Sequence, residues 1–355
     1  MAKKITLTSL DPNFNRLGVL DNYKSLIWTT RYYDHGDFEI ILPLDPQTLL
    51  LTNVTYYVMR DDDENVGIIE KAEAQYTETA EPVWKISGRF LTQILARRII
   101  AEQTQLKGTL SNSINTLINN AIISPTIAAR QISNFTLGSY TIATDFEAQF
   151  TGKNLYTVIH DICQQYGVGF KVTLNDNKQF VFSLYEGVDR SYNQDVNPYV
   201  VFSNAYDNIL SATLDINFQN IINNVLAAGE GEGDARKTIW VAADNAPTGL
   251  GRYEFYDDAR NISSNDGEIT EQDYYNQLAE SGRENLTVRD INFAADVNFE
   301  SIVYKKDVNI GDICSIEDTR LGVAFAARII EVIESVDASG KYTIIPTFGY
   351  KGGLE

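Results

Sequence analysis

Two runs of short alternating segments, one near each end of the chain, most strongly constrain the fold. In residues 1–88, apolar and polar residues alternate in segments such as Leu26–Thr30 and Phe38–Leu42, and turn-forming residues separate these segments. Alternation returns after residue 207, for example in Asp312–Glu317 and Val323–Glu334. Turns spaced about 8–12 residues apart are typical of antiparallel barrels and sandwiches. The sequence therefore predicts a mainly β protein.

Between the two runs, residues 89–205 change to helical periodicity. Apolar side chains of residues 153–166 recur on one helical face, and Gly167 follows directly, which predicts a helix that ends at the glycine. The other predicted elements are helices at 91–99 and 110–122 and a hairpin of Gly169–Leu174 with Gln179–Tyr185. We therefore expect an α+β domain over 89–205, inserted after a first tube-like β-barrel at 1–88.

An acidic segment interrupts the second run of strands. The chain of 355 residues has a net charge of −19, and residues 229–300 hold 16 acidic and 6 basic residues. The same stretch is rich in glycine, and Thr270 is positioned to cap a helix within it. We expect a second β-barrel built from 206–230 and 287–355, with 231–286 as an acidic insert. The predicted fold is thus two similar antiparallel β-barrels plus two smaller domains.

The charge and the cysteine content exclude several classes of protein. A sequence pI near 4.5 argues against a specific grip on duplex DNA, which needs clustered lysine and arginine. Two distant cysteines, Cys163 and Cys314, cannot form a disulfide framework or a four-cysteine metal site. The sequence has no run of 18 apolar residues and no signal-peptide pattern, so we expect synthesis in a cytoplasm, with retention there or export by another route.

The residues that could support catalysis are few. His160 lies between apolar positions of the predicted helix at 153–166, and His35 lies in a polar turn. Neither has a nearby serine or cysteine motif, and both cysteines fall on apolar faces that predict core packing. We therefore predict that the protein is not an enzyme and has no catalytic, cofactor-binding or metal-binding residues.

Two loops were tested against ligand-binding motifs. The acidic run Asp61–Glu64 fails the EF-hand template because Val66 replaces its glycine and Ala72 its final glutamate, so a solvated hairpin turn is expected. The glycine-rich stretch Gly229–Gly233 follows a strand, as a phosphate loop does, but it leads into another strand and contains carboxylates that repel phosphate. A flexible, exposed turn between domains is the better interpretation.

Three stretches, in this order and spacing, resemble the tail-hub proteins of tailed bacteriophages. They are Gly88–Ile100 after the first β run, Asn223–Arg236 before the acidic segment, and Tyr304–Ile316 with its Tyr…Gly-Asp pattern. Within this group, the stretches resemble the baseplate hub of contractile tails and the N-terminal hub region of siphovirus tail-associated lysins. It extends over nearly the whole chain.

The resemblance implies a homotrimer at the distal end of the tail tube. Three subunits with two barrels each would match a sixfold tube to a threefold tip and let DNA or other tube contents pass. The implied partners are the tail tube protein, a distal tail or baseplate protein, a central spike or tip protein and the tape measure protein. The implied location is the virion tail tip, after assembly in the host cytoplasm, with no fused lysin domain because the chain ends at Glu355.

Several alternatives stay open on the sequence alone. A tail-associated peptidoglycan-degrading enzyme is one, and a receptor-binding or carbohydrate-binding module is another, suggested by Trp28, Trp84 and Trp240. The acidic residues could line a lumen that repels DNA, or simply keep an exposed insert soluble. Arg97 and Arg98 could serve subunit contacts or form a solvated helix end.

Overall fold

The computed structural model describes residues 5–287, 290–297 and 302–350 and shows a mainly β protein with α+β insertions. The first β unit, residues 5–90, contains β1 (Leu7–Leu10), β2 (Arg16–Leu20), β3 (Ser25–Arg31), β4 (Asp37–Pro43), α1 (Pro46–Leu51), β5 (Tyr57–Arg60), β6 (Val66–Ile68), β7 (Lys71–Gln75) and β8 (Val83–Arg89).

The α+β unit, residues 91–187, follows. After a 3-10 helix at Leu91–Arg97 it contains β9 (Thr104–Thr109), α2 (Leu110–Ile118), a π turn (Asn119–Ile123), β10 (Phe135–Leu137), β11 (Asp145–Phe150), α3 (Leu155–Tyr166), β12 (Gly169–Leu174) and β13 (Phe180–Tyr185).

The rest of the described chain forms a second β unit and the insert within it. In chain order the elements are β14 (Val201–Ser203), β15 (Ile209–Asn217), β16 (Asn224–Ala228), β17 (Thr238–Ala242), β18 (Glu254–Asp258), α4 (Glu271–Glu284), β19 (Asp290–Val297), β20 (Ile313–Asp318), β21 (Val323–Val336) and β22 (Tyr342–Tyr350). The insert comprises β16 to α4.

One ten-stranded sheet runs through both β units. Its main path is β15-β19-β22-β21-β3-β4-β8-β7, and β20 and β14 branch from β21. The units meet where β21 pairs antiparallel with β3, with Glu331 opposite Arg31 and Val336 opposite Leu26. A second sheet, β2-β1-β5-β6, lies within the first unit. No pairing among the described strands closes either unit into a ring.

Local signals predicted the helices well. Asn154 caps α3, and Gly167 ends it at φ 71°, in the left-handed region that glycine favours. Thr109 caps α2 by accepting a hydrogen bond from Asn112, and Thr270 caps α4 through Asp273. Helix α4 continues beyond its predicted end near Ala279, because Gly282 lets it pass close to the side chain of Val241.

Some strand predictions were wrong. The segment Val66–Ala74 was predicted as one strand but divides into β6 and β7, which belong to different sheets, and Ile69 at the bend bonds to Tyr56. Strands are present on either side of Gln219 and Asn220, as predicted; β15 pairs with β19, and β16 with β17 and β18. Strands β2, β9, β10, β11, β14 and β18 and helix α1 were not predicted. Of the predicted strand Val288–Phe293, residues 288–289 lie outside the described residues.

Four clusters of buried apolar side chains correspond to these parts. The α+β unit has the most extensive cluster, each β unit has its own, and the insert has a small one in which Tyr274 and Leu278 of α4 cover Ala227 of β16. Two clusters extend across a boundary between parts: Val66 and Ile68 of β6 belong to the cluster of the α+β unit, and Val336 of β21 belongs to that of the first β unit. Polar contacts between the parts add to this apolar packing.

Candidate assembly site

A buried ion-pair network joins the two β units. Nη2 of Arg60, at the end of β5, lies 3.0 Å from Oε1 of Glu334 in β21, and both side chains are buried. The guanidinium also lies over the ring of Trp28, 5.5 Å from its centroid. Arg60 therefore holds β21 against the first unit by charge. This contact adds to the strand pairing between β21 and β3.

The second unit adds a cation and a hydroxyl to this network. Nζ of Lys305 lies 2.7 Å from Asp63 and 3.2 Å from Glu334. The hydroxyl of Tyr342 donates a 2.6 Å hydrogen bond to Glu334. Asp62 binds Arg60 at 2.9 Å. We call Arg60, Asp62, Asp63, Lys305, Glu334 and Tyr342 the seam network.

The charges of the seam network are mutually dependent. Burial alone would raise the pKa of Glu334, but Arg60, Lys305 and the Tyr342 hydroxyl lower it below its ordinary value. Burial likewise opposes the charge of Arg60, and Glu334 with its neighbours raises the pKa of Arg60. Removing one member would therefore leave an uncompensated charge in the interior.

Tyr32, directly after β3, forms a second junction where three parts of the chain meet. Its fully buried hydroxyl donates toward the carbonyl oxygens of Gly167 and Tyr185, each at 3.2 Å, and accepts from the amide of Gly187. These three partners belong to the α+β unit. A single side chain of the first β unit thus contacts the chain just before β12 and at the end of β13.

The second β unit closes over the other side of Tyr32. The guanidinium of Arg328 lies 5.1 Å from the ring centroid and donates a 2.6 Å hydrogen bond to the carbonyl of Gly311. A Cβ added at Gly311 would lie 2.2 Å from the tyrosine ring, and its φ of 91° also favours glycine. The junction therefore depends on the absence of a side chain at this position.

Buried amides attach the insert to the α+β unit. The side chain of Gln149 in β11 accepts from the amide of Ser263 at 2.8 Å and donates to the carbonyl of Ser263 and to Gln277 of α4. Two lysines of the α+β unit, Lys107 and Lys153, form ion pairs with Asp273 and Glu284 of the insert. Part of the insert's acidic charge therefore stabilises this contact.

The glycine-rich loop at Gly229–Gly233 is not the flexible turn that was predicted. Strand β17 follows it, as expected, but the carboxylate of Glu230 accepts hydrogen bonds from Ser263 and Ser264. The amide of Glu230 donates to the hydroxyl of Tyr274 at 2.7 Å. These contacts fix the start of the loop against the insert, while Gly231 to Ala235 are exposed.

The structure brings the two histidines close to one tyrosine. The rings of His35 and Tyr156 stack with centroids 5.1 Å apart, and His160 lies 6.0 Å from the same tyrosine. Burial lowers the pKa of His35 despite the adjacent Asp34. Asp34 also accepts from the Tyr156 hydroxyl, which attaches α3 to the first β unit. Sequence reasoning had not placed the histidines together.

The remaining candidates occupy varied positions. Cys163 and Cys314 are buried free thiols whose pKa values burial raises, as core packing predicts. Trp28 is buried, Trp84 is half-buried, and Trp240 is 51% exposed on the insert. In the run Asp61–Glu64, Asp63 binds Lys305 and Glu64 binds Lys171, so part of the predicted solvated turn is a tertiary contact. No group of three potential metal ligands occurs in the described part of the chain.

The main strand path of the large sheet has an open edge at each end. Within the described ranges, the main path ends at β15 on one side and at β7 on the other. Between these edges, the sheet face opposite Trp28 carries neighbouring charges as pairs, such as Arg31 with Glu331 and Lys85 with Glu39. Open edges of this kind can pair with another chain.

A family model of siphovirus ReqiPepy6 Gp37-like proteins matches residues 6–350. The chain belongs to this family. The match covers both β units, the α+β unit and the insert, and it confirms the resemblance to siphovirus tail proteins. No curated protein sequence matches the chain.

Solved structures share the fold of this Gp37-like chain over nearly their whole length. The tail protein from Neisseria meningitidis MC58 has a TM-score of 0.57 at 12% identity, covering 99% of this chain and 98% of that one. The prophage tail protein gp18 from Listeria monocytogenes EGD-e gives 0.56 at 12%, covering 98% and 95%. The 43 kDa tail protein of prophage MuSo2 from Shewanella oneidensis gives 0.57 at 12%, covering 98% of each.

No helix in the described ranges is long and apolar enough to span a bilayer.

Proposed function

We propose that the protein is the structural hub of a phage tail tip or baseplate, or of a phage-derived contractile particle. Three copies would form a ring that joins the sixfold tail tube to the threefold tip and lets DNA or other tube contents pass. In this proposal each copy contributes two barrel-like β units, which give six around the ring.

The observation that carries the proposal is the continuous path of eight strands with an open edge at each end. If β15 of one copy pairs with β7 of the next, three copies supply 24 strands and leave neither end of the main path unpaired. The two edges are different surfaces, so the contact is head to tail and a rotation of one third of a turn closes it. The barrels would then be completed between copies.

The seam network and the Tyr32 junction support the same proposal. A ring of fixed symmetry requires that the two β units of one copy keep a fixed relative orientation. The buried Arg60–Glu334 pair, together with the packing of Arg328 and Gly311 against Tyr32, restricts that orientation more than apolar packing alone. The role is structural and not enzymatic.

The proposed partners are other tail components: the tube protein above, a distal tail or baseplate protein around the ring, and a spike or tip protein below, with the tape measure protein at the lumen. The proposed location is the tail tip of the virion, after assembly in the bacterial cytoplasm. The proposed domains are a first β-barrel at 1–88, an α+β domain at 89–205, a second β-barrel at 206–230 with 287–355, and an acidic insert at 231–286.

Light scattering of the purified protein tests the oligomeric state. We expect a particle mass near three times the chain mass of 39.8 kDa, alone or on addition of the tail tube protein. A strict monomer under both conditions would contradict the hub. A ring of threefold symmetry in electron micrographs would distinguish a closed trimer from an open chain of three copies.

One observation favours a receptor-binding role as a second candidate. Trp240 and Tyr256 flank Leu226 on one face of the insert sheet, and about half of each aromatic side chain is exposed. Binding of the isolated protein to intact cells, lost in Trp240→Ala, would favour this role. The peptidoglycan-degrading alternative predicts lysis in a zymogram, which we do not expect.

A further inference from the structure

A cleft lies beside β9 in the α+β unit, away from the seam network. It is an open cleft of about 250 Å³, with residues 99–105 along one side and the end of α2 and the π turn along the other. Leu117 and Ala121 form an apolar part of its lining, and Gln103, Gln105 and Asn120 supply polar groups. A cleft of mixed chemistry suits a peptide better than a purely apolar ligand.

The strand that borders the cleft has a free edge. Within the described part of the chain, β9 pairs with β11 alone, so one side of the strand has no sheet partner. Thr104 and Gln105, its first two residues, line the cleft. An extended peptide can add to such an edge through main-chain hydrogen bonds, while its side chains enter the neighbouring cleft.

Arg130 lines the cleft, and Arg97 and Arg98 lie close to it. Nε of Arg98 donates a 3.1 Å hydrogen bond to the carbonyl of Arg130, and the same guanidinium donates a 3.0 Å bond to the carbonyl of Arg97. Arg130 in turn donates to the carbonyl of Ile99. These backbone contacts hold like charges close together.

The arginine cluster has no counter-ion among the described residues. Arg97, Arg98 and Arg130 form no ion pair there, whereas most other cations of this acidic chain do. Burial and the two neighbouring arginines lower the pKa of Arg98. An anion would relieve this repulsion. Ile99 and Ile127, 50% and 59% exposed, add apolar surface beside the cluster.

We propose that the cleft binds an extended, acidic segment of another protein. The segment would add as a strand to the free edge of β9 and place a carboxylate against Arg97, Arg98 and Arg130. Nucleic acid is a poorer fit, because it has no peptide main chain that could add to the edge of β9. The proposal does not depend on the trimeric ring.

Fluorescence anisotropy with labelled octapeptides tests the charge requirement. The probes alternate valine with aspartate, asparagine or lysine, so that β propensity is similar and only charge differs. We expect the aspartate peptide to bind, and the other two to bind at least about tenfold more weakly, which is the scale of a lost charge-assisted contact. Failure of the aspartate peptide to bind, or equal binding of the asparagine peptide, overturns the proposal.

Two variants test the location. Arg97→Glu alters an exposed side chain, and Arg260→Glu makes the same charge change on the insert, so the pair separates a local effect from one of net charge. We expect only Arg97→Glu to weaken binding of the aspartate peptide, again by at least about tenfold. Arg130→Gln provides a second local variant, and thermal melting confirms that each one folds.

Hydrogen exchange on the full chain gives an independent readout. Bound aspartate peptide should slow exchange of β9 amides and leave β7 and β15 unchanged. Equal weakening by Arg97→Glu and Arg260→Glu, or protection confined to another strand, would overturn the assignment to this cleft.

Discussion

Arg60 and Glu334 are 274 positions apart in the chain, yet their side chains form a 3.0 Å hydrogen bond in the interior. The pair connects β5, a strand of the second sheet, to β21, the strand of the large sheet that joins the two β units. Because Lys305 and Tyr342 also contact Glu334, this one carboxylate holds together three segments that are distant in sequence.

Replacing Glu334 by glutamine should destabilise the protein strongly. The substitution leaves the buried guanidinium of Arg60 without its buried counter-charge, which costs about 3–5 kcal/mol in comparable pairs. Chemical denaturation measures the change. The control is Glu81→Gln, which breaks an exposed pair with Lys24 and should cost less than about 1 kcal/mol. Equal effects of the two variants would show that the buried pair has no special role.

Acid should remove the stability that the charged carboxylate of Glu334 contributes. The folded pKa of Glu334 is below its ordinary value of 4.5, so the unfolded state binds a proton more readily and stability rises with pH. The contribution is fully present above about pH 4.5 and is lost as the pH falls through the folded pKa. Melting temperatures of the wild type and Glu334→Gln should therefore converge in acid. A constant gap down to pH 3 would contradict this linkage.

Gly311→Ala should be more harmful than Gly340→Ala. Both glycines have positive φ, 91° and 80°, so both substitutions introduce similar backbone strain. Only at Gly311 does the new methyl group meet the Tyr32 ring; at Gly340 the space is open. The difference in unfolding midpoint between the two variants reports the contact with Tyr32. Indistinguishable midpoints would mean that the junction adapts to a side chain.

Gln149→Ala should loosen the insert. The substitution removes the hydrogen bonds to Ser263 and Gln277, and leaves their buried groups without partners, at about 1–3 kcal/mol. Limited proteolysis should cleave between residues 229 and 286 sooner than in the wild type. Gln75→Ala on exposed β7 serves as the control and should leave the cleavage rate unchanged.

Cysteines at the two open edges should link neighbouring copies. Ser211 lies on β15 and Gln75 on β7, both exposed, while the native cysteines are buried and protected from reagent. With a bismaleimide, Ser211→Cys/Gln75→Cys should yield covalent dimers and trimers on a denaturing gel. Each single variant should stay monomeric, because the contact joins unlike edges. Ladders beyond the trimer would indicate an open filament.

The sequence correctly predicted those elements whose formation depends on signals close together in the chain. Helix α3 was predictable because its apolar stripe, its cap and Gly167 lie within a few residues of one another. The β21–β22 hairpin was predictable from the turn at Asp337–Gly340. Strand β9 escaped prediction because Thr104 and Leu106 are its only buried side chains, among polar neighbours.

Residues whose roles depend on distant partners were not predictable. Arg60 follows a predicted strand and precedes an acidic run, so it resembled part of a solvated turn, and nothing local indicated Glu334. Tyr32 resembled one more aromatic in a β segment. Arg97 and Arg98 were recognised as candidates for contacts, but Arg130 and the free edge of β9 beside them depend on the fold.

The pairing of β3 with β21 also sets an order of events during synthesis. Arg31 leaves the ribosome 300 residues before Glu331, with which it forms an ion pair across the two strands. The α+β unit has its own extensive core and can fold while the rest of the chain is still being made. The large sheet has to wait, because the loop that its central contact closes spans most of the polypeptide. Strands β7 and β15 are made early, but they belong to one sheet only after β19, β21 and β22 join them, so only nearly complete products can enter the proposed ring.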